Sequence, residues 1–338
     1  MTSTDEVLAL LDRPVEGAAV GAALELGLFW TLEAEPAATA GIGRALGIPA
    51  GRCEAWLRVL EALGVVEESA SGWRPTGAAR DSILGGYGAN TWRLLAQEAR
   101  ERLAAVLDLP GALRALPGDT RPTAGYVDQM AADPERARRF TRMLYEIHGP
   151  LAADVAGALD LAGVRRLMDI GGGSGVVAIA LAKRWPELEV TVVDIANVCA
   201  AGREIALEEG LGERVHFHGA DFLRDPLPGD FDAVLECDVA VFSDELFRRI
   251  RETLRPGGRF VIVDELESDE TVADRSRLAW ALVRTLADPS WRAPTVGRVG
   301  ELLARTGFGP VRRTDLPAQP GVGGQTAGPV MLEATAIE

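Results

Sequence analysis

The chain has 338 residues, 47% of them hydrophobic and 25% charged, a composition with room for two buried cores. Its formal net charge of -15 repels phosphate backbones and sets nucleic acid aside as the main partner, while still suiting a cationic ligand. Cys53, Cys199 and Cys237 are far apart and odd in number, so buried packing is expected of them and neither a disulfide framework nor a Cys-x-x-Cys metal site is signalled.

Residues 1–25 lack a basic start, a continuous apolar run and a small-residue cleavage site, and no apolar run approaches the roughly 20 residues that cross a bilayer. A cytosolic protein without a membrane partner is therefore expected. Residues 7–11 and 18–32 carry apolar side chains at three- and four-residue spacings, the mark of helices that bury one face. Residues 40–46 continue as helix, Gly47-Ile48-Pro49 turns, and residues 52–63 place Trp56, Leu57, Leu60 and Leu63 on one stripe that Gly64 ends. Residues 65–68 and 73–75 read as a two-stranded wing. This winged helix-turn-helix order usually binds DNA, yet residues 52–63 mix Arg52 and Arg58 with Glu54 and Glu61, and Glu67 and Glu68 follow, so no basic face exists. The apolar helices within residues 7–32 are read instead as a partner surface, most simply that of a homodimer.

Residues 91–165 are helical, broken by Pro110, Pro117 and Pro122. Asp133-Pro134-Glu135 marks a helix start, and that helix is expected to carry Phe140, Met143, Leu144 and Ile147 on one side. From residue 165 the pattern changes. Short apolar runs at 166–170, 189–193, 215–218, 233–236 and 260–263, separated by helix-length stretches, predict an α/β fold with a parallel sheet covered on both faces, closed by an antiparallel pair at 311–314 and 330–334. Three segments are thus expected: a winged-helix-like part over 1–90, helices over 91–164, and a ligand-binding α/β domain over 165–338.

Parallel sheets of this kind bind ligands at the carboxyl ends of their strands. At the first such end stands Asp169-Ile170-Gly171-Gly172-Gly173-Ser174-Gly175, which opens a helix. Gly171, Gly173 and Gly175 let the backbone turn sharply and leave space for a ligand. Asp194 ends the second strand, where a carboxylate can accept two ribose hydroxyls, and Gly219-Ala220-Asp221-Phe222 follows the third, with an acid and a ring suited to adenine. The plainer alternative is that Asp194 and Asp221 only cap turns. The first loop carries an acid and no cation, which disfavours a pyrophosphate and suits S-adenosylmethionine, whose sulfonium and ammonium are positive. Ile195, Glu236 and Cys237, at neighbouring strand tips, complete the candidate cofactor set.

With those motifs and Leu254-Arg255-Pro256-Gly257-Gly258-Arg259, the chain resembles the dimeric plant-type (caffeate-type) O-methyltransferases and their bacterial small-molecule relatives over almost its whole length. The resemblance implies a Rossmann-like class I methyltransferase sheet, mostly parallel, behind an N-terminal winged-helix dimerisation domain. It also implies that Asp194 holds the ribose, that Asp221 and Phe222 flank the adenine, and that Asp169 with the glycines holds the methionine end. Members that methylate phenols carry a His-Asp pair after the fourth strand, the histidine acting as base. Here Ala240 and Val241 occupy those positions, and Glu236 stands where the family has a lysine.

Candidates for the missing base are Asp238, His148, Tyr145 and Asp264 or Glu265, with structural roles open for each. Phe242, Trp280, Arg284 and Trp291 are candidate walls of an acceptor pocket, since flat molecules stack on rings, though core or rim positions fit them equally. His216 and His218 share one side of a strand without a third ligand, so no metal is expected. The leading expectation is a methyltransferase acting on a small aromatic or keto-acid acceptor, with oxygen first and carbon or nitrogen open. A non-methylating enzyme that uses the same cofactor, and a winged-helix regulator, are the alternatives.

Overall fold

The computed structural model describes residues 3–115, 126–267, 275–318 and 328–337, which leaves Pro117 and Pro122 outside the described residues. The chain divides into two compact units, Met1–Gly111 and Ala112–Glu338.

The first unit begins with a helix, Thr4–Leu26, started by a capping box in which Ser3 and Glu6 satisfy one another's backbone amides. It stops at Gly27, which adopts the left-handed conformation that ends helices cheaply. Helices Leu28–Thr31, Thr39–Leu46 and Ala50–Ala62 follow, then strands β1 (Val66–Ser69) and β2 (Gly72–Pro75), paired antiparallel as the expected wing. Leu28, Phe29, Ile42, Leu57, Leu60 and Trp73 form its core, and the Trp73 indole N–H donates to Thr39 Oγ1 at 3.0 Å. Arg58, the cation of the would-be recognition helix, is held by Glu54, Glu61 and Glu68 at 2.8–3.0 Å, so its charge is spent within the unit. The helix Ala89–Val106 packs on Thr4–Leu26 and belongs to this unit. The outer half of Thr4–Leu26 leaves Val7, Leu8, Leu10, Leu11 and Val15 uncovered, Leu11 being 70% exposed.

The second unit is a seven-stranded sheet of β3 (Arg166–Ile170), β4 (Glu189–Asp194), β5 (Val215–Gly219), β6 (Phe231–Cys237), β7 (Leu254–Asp264), β8 (Arg312–Asp315) and β9 (Val330–Thr335), in the order β5-β4-β3-β6-β7-β9-β8. The first five in that order are parallel, and β9 runs antiparallel to both β7 and β8, the expected closing pair. Side chains alternate between two apolar layers. Leu167, Val190, Val192, Ala233, Leu235 and Val261 meet the helices Gly149–Ala158, Val176–Arg184 and Ala196–Glu208. Met168, Val193, Val234, Phe260 and Ile262 meet Asp244–Thr253 and Val296–Arg305 on the other face. Burial on both sides is why these strands read as nearly continuous apolar runs.

Strand order reverses between β3 and β6, and the crevice beyond their carboxyl ends is where such sheets bind ligands. The helix Pro134–Ile147 begins as expected, Asp133 accepting the amides of Glu135 and Arg136. Its buried positions are Ala137, Thr141 and Met143, while Phe140, Leu144 and Ile147 are only half-buried, so the apolar stripe is shared between core and cleft. No helix among the described residues is long and apolar enough to cross a membrane.

Candidate active site

The glycine loop after β3 is shaped by backbone necessity. Gly171 has φ +69°, and a Cβ there would lie 2.6 Å from Val239 Cγ2. Gly175 has φ +73°, and its Cβ would lie 2.9 Å from Phe217 Cζ. Both glycines therefore answer a left-handed conformation and a close approach together. The loop also presses Phe222 and Val239 against Gly171, joining the tips of β3, β5 and β6 at one place.

Around it the carboxylates lie at strand ends as the spacing implied. Asp194 is 5% exposed, with Oδ2 accepting the Gly173 amide at 2.9 Å and Oδ1 the Ile195 amide at 2.7 Å, and burial pushes it up to about 6. Asp169 is 1% exposed and neither oxygen has a hydrogen-bond partner of normal geometry. Burial and the charge of Asp194 push it up to about 7, with the Ala178 amide offsetting part of the rise. Glu236, also 1% exposed, has neither oxygen in a hydrogen bond of normal geometry, and burial, then Asp264 and Asp238, raise it well above the carboxylate range, with the Ala240 and Val239 amides offsetting part of the rise. Cys237, half-buried and packed on the β3 side, feels Asp169, Asp238, Glu236 and Asp264 together. A buried carboxylate without a donor costs several kcal/mol, which a cationic ligand offsets. Orphaned acids beside a glycine cradle thus fit the amino and sulfonium charges of S-adenosylmethionine.

Asp221 plays a structural part as well. Its Oδ1 accepts the Leu223 amide at 3.0 Å and its Oδ2 stands 3.7 Å from Arg224 Nε, so the capping alternative describes one of its oxygens. His216 and His218 are both exposed, and no group of three or more potential metal ligands occurs among the described residues.

Beyond β6 the chain makes a tight turn in which Asp238 (φ 57°) and Ala240 (φ 56°) are both left-handed without being glycine. Such strain concentrates at functional sites. Asp264, buried at the tip of β7, accepts the Ala240 amide at 3.1 Å and the Glu265 amide at 2.7 Å, while the Asp238 amide donates to Val263 at 2.8 Å. The turn presents Asp238 Oδ2 3.4 Å from His148 Nε2. His148 sits at the junction of helices Pro134–Ile147 and Gly149–Ala158, a quarter exposed, and its burial lowers its pKa. Asp238 is half-exposed, and the surrounding protein and Glu265 push it up to about 6.

One expectation fails. The Tyr145 hydroxyl points away from the strand tips and pairs with Glu209, which Lys183 also holds at the far ends of their helices, because the turn of its helix that faces the cleft belongs to His148. Phe242 is half-buried at the margin of the core and packs edge-on to Phe247, ring centres 6.4 Å apart. Trp280, Arg284 and Trp291 do come together: the indoles are 5.3 Å apart and edge-on, and Arg284 lies 4.9 Å over Trp280, which is 48% exposed. The segment after Trp291 bonds to Glu267, beside the exit of β7. Tyr126, Met130, Phe140 and Asn197, none of them marked as site residues by any motif in the sequence, gather beside Ile195.

The O-methyltransferase domain description matches residues 121–309. The chain is 31% identical over 323 residues to 3-hydroxy-5-methyl-1-naphthoate 3-O-methyltransferase of Streptomyces sahachiroi, covering 91% of this chain and 90% of that protein. It is 31% identical over 261 residues to the N,N-dimethyltransferase OxyT of Streptomyces rimosus, covering 75% and 76%. Its fold matches that of human N-acetylserotonin methyltransferase solved with SAM, at a TM-score of 0.77 and 20% identity over 100% of both chains. Together with the acidic, glycine-lined crevice, these likenesses carry the methyltransferase reading over the non-methylating enzyme and the regulator: the chain belongs to the O-methyltransferase family, as an S-adenosylmethionine-dependent methyltransferase of small molecules.

Proposed function

We propose that the chain methylates a hydroxyl group on a small aromatic acceptor, with His148 as the proton acceptor and Asp238 as its partner. The observation that carries this reading is the approach of His148 Nε2 to Asp238 Oδ2 at the mouth of the crevice, in a protein whose Ala240 and Val241 leave the family's usual base position empty of titratable groups. At 3.4 Å the contact is longer than a formed hydrogen bond, and catalytic pairs commonly tighten when ligands close the site. The lowered pKa keeps the imidazole neutral at pH 7, the form that takes a proton, and Asp238, mostly charged there, steadies the imidazolium that results.

When bound, S-adenosylmethionine supplies a methyl group on positively charged sulfur. Asp194 would accept the ribose hydroxyls on its free lone pairs, with Ile195 beside it, Asp221 and Phe222 would flank the adenine, and Asp169 with the glycines would hold the methionine end, Glu236 and Cys237 standing at the neighbouring strand tip. His148 would take the acceptor's hydroxyl proton as the oxygen bonds to the methyl carbon, the electron pair of the broken carbon–sulfur bond staying with sulfur to leave S-adenosylhomocysteine. Trp280 and Trp291 offer rings for a flat acceptor, in keeping with the hydroxynaphthoate named for the Streptomyces sahachiroi relative. The exposed apolar face of Thr4–Leu26 pairs two copies as a homodimer.

The test is S-adenosylhomocysteine formation with a panel of hydroxynaphthoates and their deoxy analogues. Turnover only with the hydroxylated members, falling by about 10² to 10⁴ in His148→Ala with S-adenosylhomocysteine affinity retained, is expected. Equal turnover by the two proteins would remove His148 from the chemistry.

A further inference from the structure

Asp194 presents a difficulty for any ligand that must reach it. At 5% exposure its carboxylate is closed off, one side by the glycine loop and the sheet, the other by something that must yield. The helix Tyr126–Ala132 lies on that outer side. Its Met130 is buried with Ala137 and Val198, and Ile195, the residue after Asp194, packs on the same cluster with Phe140. Tyr126 at its start lies against Phe140, ring centres 5.7 Å apart. Tyr126 is 42% exposed, so its ring covers Phe140 from the solvent side.

The helix has only seven residues, too short to persist in water without tertiary support. That support is specific. Asn197 Nδ2, from the first turn of Ala196–Glu208, donates to the carbonyls of Met130 at 2.9 Å and Ala131 at 3.0 Å, two of the unpaired carbonyls at the helix end. Asn197 stands three residues after Asp194, so the latch and the ligand-binding acid move with the same loop.

We propose that Tyr126–Ala132 is the cover of the adenosine pocket, with the two Asn197 bonds as its latch and the Tyr126–Phe140 ring contact as its second hold. The inference rests on Asp194 being the ribose-binding acid. Entry of the cofactor and exit of S-adenosylhomocysteine each require the helix to lift, breaking the two Asn197 bonds and the ring contact. Closed again, the helix keeps water from the Asp194 side of the pocket. Cover opening then sets the rate of product release, a step that commonly limits turnover.

The test is stopped-flow binding of S-adenosylhomocysteine to the full-length chain, followed by intrinsic tryptophan fluorescence, with amide exchange of residues 127–132 measured alongside. In Asn197→Ala the association and dissociation rates both rise about tenfold while Kd changes less than threefold, because a lost latch favours opening in free and bound protein alike. Tyr126→Phe keeps the ring contact and with it both rates; Tyr126→Ala, which loses the contact, raises both. S-adenosylhomocysteine slows exchange at residues 127–132 in the native chain. Unchanged rates in Asn197→Ala together with unaltered exchange overturn the proposal. Should Asn197→Ala fail to fold, Asn197→Asp, which removes the donors at constant size, and Tyr126→Ala decide the matter by the same rates. Native protein that binds no S-adenosylhomocysteine at all refutes the cofactor assignment itself, a result distinct from binding with unaltered rates.

Discussion

The amide of Ala240 donates to Oδ2 of Asp264 at 3.1 Å, and this bond holds the left-handed turn on which Asp238 is carried. Asp264 belongs to the adjacent strand, so the position of Asp238 depends on β7 as much as on its own strand. Asp264→Asn, which keeps the size and one acceptor oxygen, is expected to leave S-adenosylhomocysteine affinity within threefold and to lower kcat by about tenfold, as the turn loses part of its hold. Steady-state kinetics beside calorimetric titration distinguishes this from a general loss of folding.

Removing the ribose acid acts on binding. Charge-assisted hydrogen bonds contribute about 1.5 to 3 kcal/mol each, so Asp194→Ala is expected to weaken S-adenosylmethionine binding by roughly ten- to a hundredfold. Unchanged heats in calorimetry would sink the assignment. Asp238→Ala, by contrast, lowers turnover and spares cofactor affinity.

The glycine loop permits a paired experiment. Gly171→Ala meets both an unfavourable φ of +69° and Val239 Cγ2 at 2.6 Å, together costing about 2 to 4 kcal/mol in urea unfolding and displacing the cofactor site. Adding Val239→Ala relieves the contact and leaves the conformational cost, so the double variant recovers part of the loss. Full additivity of the two losses would show that the contact is not made.

The buried acids give the ligand-free protein an uncommon pH profile. Asp169 is raised to about 7 and Asp194 to about 6 in the folded state, against 3.8 for an ordinary aspartate, so the folded chain binds protons more tightly than the unfolded one. Their contribution is full below about pH 4 and is lost as pH rises toward 7. Stability therefore falls between about pH 4 and 7 from these groups, and Asp169→Asn flattens that slope in urea titrations at a series of pH values. Surface acids held low by arginine, such as Asp244 beside Arg305, act in the opposite sense but change below pH 4. Activity falls on the acid side as His148 gains its proton, at a pH below the ordinary histidine value.

Leu8→Glu with Leu11→Glu, on the uncovered face of Thr4–Leu26, is expected to convert dimer to monomer in sedimentation velocity at micromolar concentration. A native chain that sediments only as monomer removes the homodimer.

Much of the fold was legible in the chain itself. Residues 166–170 set out as β3 and 189–193 as β4 because strands buried on both faces must be apolar throughout, and Asp133-Pro134 opened a helix because capping is a local event. The wing was legible too, as the short runs 65–68 and 73–75 on either side of a turn. The glycine loop, Asp194 and Asp221 were likewise readable, since each is tied to the end of a recognisable strand. These features depend on neighbours a few residues away, and sequence records such neighbours directly.

Tertiary structure decided the rest. Tyr145 and His148 lie on adjoining turns and differ by less than one helical revolution, yet one faces Glu209 and the other Asp238, because the rotation of a helix is set by what it packs against. Tyr126 and Asn197 are 71 positions apart in the chain, and Ala240 and Asp264 are 24 apart, so neither the cover nor the strained turn has a local signature. Local spacing determines which strand tip bears an acid. Only the packing of separate elements determines which of those acids meets a histidine, and which is closed beneath a helix.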